Sequence, residues 1–200
     1  MVRIWICSDT HFGHENMVRE FTLADGSPAR VHPERGDRWY GAEECDQYMI
    51  AAWNDAIQES DHVYHLGDVA MRKGFLSVVP HLKGHKRLVR GNHDIFKTKD
   101  YLEAGFKEIY GSRVLANCLL THIPVHPESL GRFLGCVHGH THGRVVQRSP
   151  ESMLYLSDST VADILADRPD PRYRNVCVEQ TAYRPVLLEQ VVAELEATRA

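Results

Sequence analysis

Short apolar runs alternate with helical periodicities along the 200 residues of the chain, an arrangement that predicts an α/β sandwich. Val2–Cys7 reads as a buried strand, and Asn16–Phe21 as one or two helical turns. Apolar positions at Tyr48, Met49, Ala52, Trp53 and Ile57 recur with helical spacing and predict a helix over Ala42–Glu59. His62–Leu66 reads as a strand, Phe75–His81 as a short helix ended by Lys83-Gly84, Leu88–Arg90 as a strand and Lys99–Ala104 as a helix. Arg113–Leu115 and Cys118–Thr121 predict a hairpin with Ala116-Asn117 at its turn. Cys136–His138, Met153–Leu156 and Val176–Val178 complete the predicted strands, and Leu187–Thr198 is a terminal helix. Thr22–Tyr40 is polar, contains Gly26, Pro28, Pro33 and Gly36, and reads as a loop of a length that in compact domains is often functional. No repeat or linker divides the sequence, so a single domain over 1–200 is expected.

Composition narrows the class. With 43% hydrophobic and 25% charged residues, the chain has enough apolar side chain for a sizeable core and is not a disordered sequence. Twenty-three Lys and Arg against 27 Asp and Glu give a net charge of −4. That is not the basic footprint of a duplex-DNA binder, although a local basic patch for a phosphorylated substrate remains open. No run approaches the roughly 20 apolar residues of a membrane span, and the first apolar run is too short for a signal-peptide core. Five scattered cysteines without a C-x-x-C pair argue against a disulfide framework or zinc knuckle. A soluble, cytoplasmic protein of a reducing compartment is the expectation. Thirteen histidines, where average usage gives roughly four or five, require a chemical reason.

The reason emerges at the ends of the predicted strands. Asp9-Thr10-His11 follows the first, Gly67-Asp68 the second, Gly91-Asn92-His93-Asp94 the third. His122 follows Cys118–Thr121, and Gly139-His140-Thr141-His142 follows Cys136–His138. In α/β sheets, ligands bind outside the carboxyl ends of strands, and neighbouring glycines let the backbone turn sharply. Each piece alone has a bland explanation. D-x-H arises by chance, Gly-Asp is ordinary turn chemistry, and H-x-H places two rings on one face of a strand. All of them in this order, each at a strand end, exceed what turns and caps explain.

This ordered set, D-x-H, G-D, G-N-H-D, H and G-H-x-H, resembles the calcineurin-like metallophosphoesterase superfamily from Arg3 to His142. Ser8 to Asn16, Asn175-Val176 and Tyr183-Arg184-Pro185-Val186 resemble its small cap-less bacterial and phage members. The resemblance implies an αββα sandwich of two mixed sheets flanked by helices, with a dinuclear metal site at the strand ends. It implies that Asp9, His11 and His142 hold one ion, that Asn92, His122 and His140 hold the other, and that Asp68 bridges them. Mixed imidazole and oxygen donors suit borderline first-row ions, Mn²⁺ first among them, then Fe, Ni²⁺ or Zn²⁺. The absence of thiolates argues against structural zinc. Such a pair of ions generates hydroxide at neutral pH and clamps the oxygens of an in-line displacement at phosphorus. His93 would then be general acid to the leaving oxygen, with Asp94 accepting from its other ring nitrogen. For Asp94 the alternative is a turn or helix cap.

Among the remaining polar residues, His14, His126 and Arg72 are candidate substrate contacts, with packed-loop or solvated-surface roles as the alternatives. Lys73 and Arg90 are weaker candidates of the same kind. His138 alternates with the candidate ligands and suits a supporting role. His62, His65, His81 and His85 read as strand-edge or surface residues. After Gly67-Asp68 the chain continues Val69-Ala70-Met71-Arg72, not the Asp-Arg-Gly of the superfamily's protein phosphatases, whose fourth motif carries Glu where this chain has Asp94. A small phosphodiester or phosphomonoester, with a nucleotide among the options, is therefore the expected substrate, and the diester is preferred by subgroup likeness. Neither duplex DNA nor a membrane is an expected partner. Two rival readings differ in class. A non-catalytic scaffold on the same fold would have lost ligands that this chain keeps. A metallo-β-lactamase-like hydrolase would need H-x-H-x-D-H, whereas His142 is followed by Gly143-Arg144-Val145.

Overall fold

Alternation along the strands sets the layering. The structure, a computed structural model, describes residues 2–23, 25–148 and 168–198. Its strands in chain order are β1 (Ile4–Cys7), β2 (His62–His65), β3 (His85–Val89), β4 (Glu108–Tyr110), β5 (Arg113–Leu115), β6 (Cys118–Leu120), β7 (Gly135–His138), β8 (Tyr173–Asn175) and β9 (Val186–Leu187). One sheet has the order β4-β3-β2-β1-β9, the other β5-β6-β7-β8. In the first only β9 is antiparallel to its neighbour, and in the second only β5 is. Both sheets are mixed, and helices α1 (Glu15–Arg19), α2 (Ala42–Ala56), α3 (Thr98–Glu103) and α4 (Leu188–Ala197) flank them.

Trp5 and Cys7 point to one side of β1 and Ile6 to the other, as period-two alternation requires. The first pair joins Val63 and Leu88 against Cys45, Met49 and Trp53 of α2. Each of these large side chains contributes roughly 1.5–3 kcal/mol by leaving water. Trp53 keeps its indole N–H satisfied by donating to the Lys83 carbonyl at 2.9 Å. On the opposite side Ile6, Tyr64, Leu66 and Val89 pack with Cys118, Leu120 and Val137 of the second sheet and with Val191 and Leu195 of α4. The β5–β6 hairpin turns at Ala116 and Asn117, both left-handed at φ 47° and 59°, the twist that tight hairpins favour.

Several expected elements move. The run Val176–Val178 is buried but is not the strand; β8 is Tyr173–Asn175, set by its pairing of Cys136 with Tyr173 and His138 with Asn175. The apolar residues beyond it pass beneath the end of β1, where Ser8 bridges to Cys177. The predicted strand Leu88–Arg90 begins earlier, at His85. Its polar start is tolerated because the Lys86 ammonium reaches the carbonyls of Leu82 and Gly84 while its stem is buried. Phe75–His81 lies within a 3₁₀ stretch, Lys73–His81, that contains Pro80. The predicted strand Met153–Leu156 lies outside the described residues. The segment Thr22–Tyr40 is tied down: Thr22 bridges to Pro28, and the His32 ring lies 4.4 Å from that of Trp39, which also meets Tyr48 and Tyr183. Among the described residues no helix is long and apolar enough to cross a membrane, and the five cysteines are buried and outside any disulfide.

Candidate metal centre

The carboxyl ends of β1, β2, β3, β6 and β7 converge, and backbone bonds continue across them. Asp9 N–H donates to the Gly67 carbonyl, His11 N–H to that of Asp68 and Gly139 N–H to that of His122, each at 3.0 Å. Asp9, His11, Asp68, His140 and His142 all have left-handed backbones, with φ between 48° and 68°. For residues with a Cβ that conformation is costly, and such strain clusters at functional sites. Gly139 has the opposite need, since a Cβ there would collide with Ser8 Oγ and Asp9 Oδ2.

The side chains form two linked groups. Nε2 of His11 and Nε2 of His142 each lie 3.7 Å from Asp9 Oδ1. Asp68 Oδ2 is 3.6 Å from His11 Nε2 and 3.3 Å from His122 Nε2, and His122 Nε2 is 2.8 Å from Asn92 Oδ1. His140 groups with Asp68 and His122. Asp68 thus belongs to both groups. Buried Asp9 Oδ1 and His11 Nε2 have no hydrogen-bond partner among the described residues, a costly state for buried polar atoms that a divalent cation at this point relieves. The oxygen and imidazole donors fit such a cation. Cys177 also approaches, but its thiol donates to Asp9 Oδ2 at 3.2 Å. Burial and the Asp9 charge push that thiol well above its ordinary pKa, so Cys177 buttresses Asp9 as a neutral donor.

Electrostatics follow the same plan. Burial works against the Asp9 carboxylate, yet the imidazoles of His11, His142 and His122 hold it well below the usual carboxylate range. Burial lowers the pKa of His11 and, with the neighbouring His122, that of His140, a shift toward the neutral form that metal ligands require. His122 is raised against its burial by Asp68, and His142 by Glu179. The His122 ring is oriented by its Nδ1, which lies 2.8 Å from the Leu66 carbonyl and leaves Nε2 facing Asp68.

The other expected site residues divide. His14 lines the cleft beside the centre, together with His93, and its pKa is lowered to about 4 by burial, by the nearby His11 ring and by the Arg30 charge. Asp94 is corrected. Its carboxylate accepts from the backbone amides of Asp68 and Gly91 at 2.8 Å and Val69 at 3.1 Å, which directs it to the backbone and not to the His93 ring. His126 is exposed and outside the cleft, its Nδ1 facing the Glu128 amide at the start of a 3₁₀ turn. Arg72 is likewise exposed and outside the cleft. His65 is corrected in the other direction. It is 1% exposed, 3.0 Å from Thr10 Oγ1, and accepts from Gly67 N–H at 3.2 Å, so it ties the first two motif loops together. Sequence reasoning also missed Arg30 and Glu179, which contact the backbone of Asp9 and the ring of His142.

The cleft holds about 980 Å³ and is walled by His11, Asp68, His93, His140 and His142 on one side. Met17, Phe21, Leu23 and Met71 supply an apolar wall, and among the described residues Arg144, Glu20 and Asp25 are its charged residues away from the centre.

Comparison with known proteins agrees with this architecture. Residues 2–192 match the family model for calcineurin-like phosphoesterases, and the chain belongs to that family. Uncharacterized protein MJ1445 of Methanocaldococcus jannaschii is 26% identical over 200 residues, covering 98% of this chain and 93% of its own. The gene 66 protein of Mycobacterium phage L5 is 30% identical over 102 residues, 47% of this chain and 41% of its own. Among solved structures, the protein of unknown function AQ665 from Aquifex aeolicus superposes with a TM-score of 0.61 at 23% identity, covering 96% of this chain and 98% of that one. It shares the fold of two mixed sheets flanked by helices. Family membership implies divalent metal ions, and the two side-chain groups supply candidate ligands for them.

Proposed function

We propose that this phosphoesterase is dinuclear and hydrolyses a small phosphodiester, with His93 as general acid. The observation that carries the reading is the position of Asp68 Oδ2 between His122 Nε2 and His11 Nε2. Asp9, His11 and His142 would hold one ion, Asn92, His122 and His140 the other, with Asp68 shared between them. The pair of ions, Mn²⁺ in the first instance, supplies an activated water and a clamp on the phosphoryl oxygens.

The chain's own residues do the rest. His93 is exposed on the cleft wall, its ring centroid 5.6 Å from that of His11, and holds a proton for the departing oxygen. Its main-chain amide donates to Asp68 Oδ1 at 2.8 Å, so the acid and the bridge are placed by the same turn. Away from the centre, the described residues of the cleft set one cation, Arg144, against Glu20 and Asp25. That balance favours a monoanionic diester over a dianionic monoester, and disfavours a long polyanion such as duplex DNA. The apolar wall of Phe21 and Leu23 receives an uncharged substituent, and a nucleotide ester has suitable chemistry.

The test is hydrolysis of a chromogenic aryl phosphodiester beside the matching monoester, by metal-stripped protein reloaded with Mn²⁺. Faster diester cleavage is expected. Faster monoester cleavage overturns the diester preference, and no turnover of either with ions bound overturns the catalytic reading in favour of a scaffold.

A further inference from the structure

We propose that Glu179, anchored by Arg30, is a positioning residue for His142 that sets the affinity of one of the two metal ions; this rests on the dinuclear reading above. Arg30 lies in the long polar segment after α1, yet it is 1% exposed. Its guanidinium donates to the Asp9 carbonyl at 2.5 Å, to the Thr10 carbonyl at 3.1 Å and to Glu179 Oε1 at 2.7 Å. It therefore grips the turn whose residues Asp9 and His11 have left-handed backbones. The same Glu179 oxygen lies 3.1 Å from His142 Nδ1, while His142 Nε2 faces Asp9 Oδ1 at 3.7 Å.

A carboxylate at Nδ1 keeps the proton on that nitrogen and leaves the Nε2 lone pair for a metal; it also raises the basicity of the ring as a ligand. The energetics point the same way. The side chains of Arg30 and Glu179 are only 1% and 7% exposed, so the pair bears a large desolvation cost, and apolar residues would hold a loop as firmly. Of the bonds the two charges make beyond their own pairing, those to Asp9, Thr10 and His142 all serve the centre. The segment that contains Arg30 is thus a support built under the first metal position, while its Phe21 and Leu23 form the cleft wall above.

The test is calorimetric titration of the metal-stripped full chain with Mn²⁺, for wild type, Glu179→Gln and the double variant Glu179→Gln/Arg30→Met, with thermal melting of each. Wild type is expected to bind two ions. Glu179→Gln should bind one with unchanged affinity and the other roughly 10–100-fold more weakly, as loss of an orienting carboxylate typically causes. The double variant removes the unpaired buried charge, so its melting temperature should recover while the affinity for that ion stays low. Wild-type affinity for both ions in both variants overturns the proposal. So does a parallel loss and recovery of both affinities with melting temperature, the signature of a merely structural pair. If wild type binds no ion, the dinuclear reading falls and takes this proposal with it. Imidazole nitrogen shifts of the metal-free chain give a check independent of binding: His142 should be the Nδ1–H tautomer in wild type and a mixture in Glu179→Gln. An unchanged tautomer contradicts the positioning role.

Discussion

The Oδ2 atom of Asp68 lies 3.3 Å from Nε2 of His122 and 3.6 Å from Nε2 of His11. Its partner oxygen, Oδ1, is occupied by the amide of His93. Oδ2 is thus the Asp68 oxygen that faces the imidazoles of both groups of ligands. Asp68→Ala should abolish binding of both ions, as read by metal content after equilibration with Mn²⁺ and gel filtration. Two ions retained at full occupancy contradict the bridge.

His93 differs from its neighbours in being exposed on the cleft with no place in either ligand group. His93→Ala should retain both ions and lower kcat by roughly 10²–10⁴-fold, the usual contribution of a general acid. The loss should shrink for a leaving group of low pKa, which needs no proton. A uniform loss across leaving groups removes the proton-donor role.

Asp94 makes a different prediction from the one its motif suggests. Its carboxylate closes on the Asp68, Val69 and Gly91 amides, so Asp94→Ala leaves three donors without their acceptor and should cost about 2–5 kcal/mol of stability. Urea denaturation measures it. A residue that only oriented His93 would lower kcat and leave the midpoint unchanged.

Acid sensitivity should report on Asp61, far from the centre at the start of β2. Its carboxylate is 1% exposed and accepts from the Arg3 and Gln58 amides, the Arg3 guanidinium and the Trp5 indole at 2.8–3.0 Å. Burial opposes the charge, but these donors hold the carboxyl well below its usual range. A carboxyl depressed by folding stabilises fully above its unfolded pKa of about 4; that stability begins to fall as pH drops below this value and is gone only below the depressed folded pKa. Asp61→Asn should lose about 2–4 kcal/mol at pH 7 and show a flatter fall in stability between pH 5 and pH 3. An unchanged acid limb contradicts the assignment.

The candidate centre was legible because each of its residues follows a recognisable apolar run. Asp9, Asp68, Asn92, His122 and His140 each lie within three residues of the ends of β1, β2, β3, β6 and β7. The left-handed backbones at Asp9 and His140 were not legible, since they come from contacts between loops and not from local propensity. Glu179 follows the predicted strand Val176–Val178, but that run is a buried passage beyond β8 and a single Glu there completes no motif. Arg30 carries no periodic signal, and its partner is 149 residues away. The strands β4 and β9 escaped for a related reason: three and two residues long, they owe their form to the neighbours they pair with.

The central claim is that two ions act together, and the most direct measurement is phosphodiester hydrolysis followed against the number of Mn²⁺ ions bound per chain in the titration of metal-stripped protein. The account predicts negligible turnover without ions, and full turnover only as the second site fills. Full activity with no ion or with a single ion per chain would contradict it.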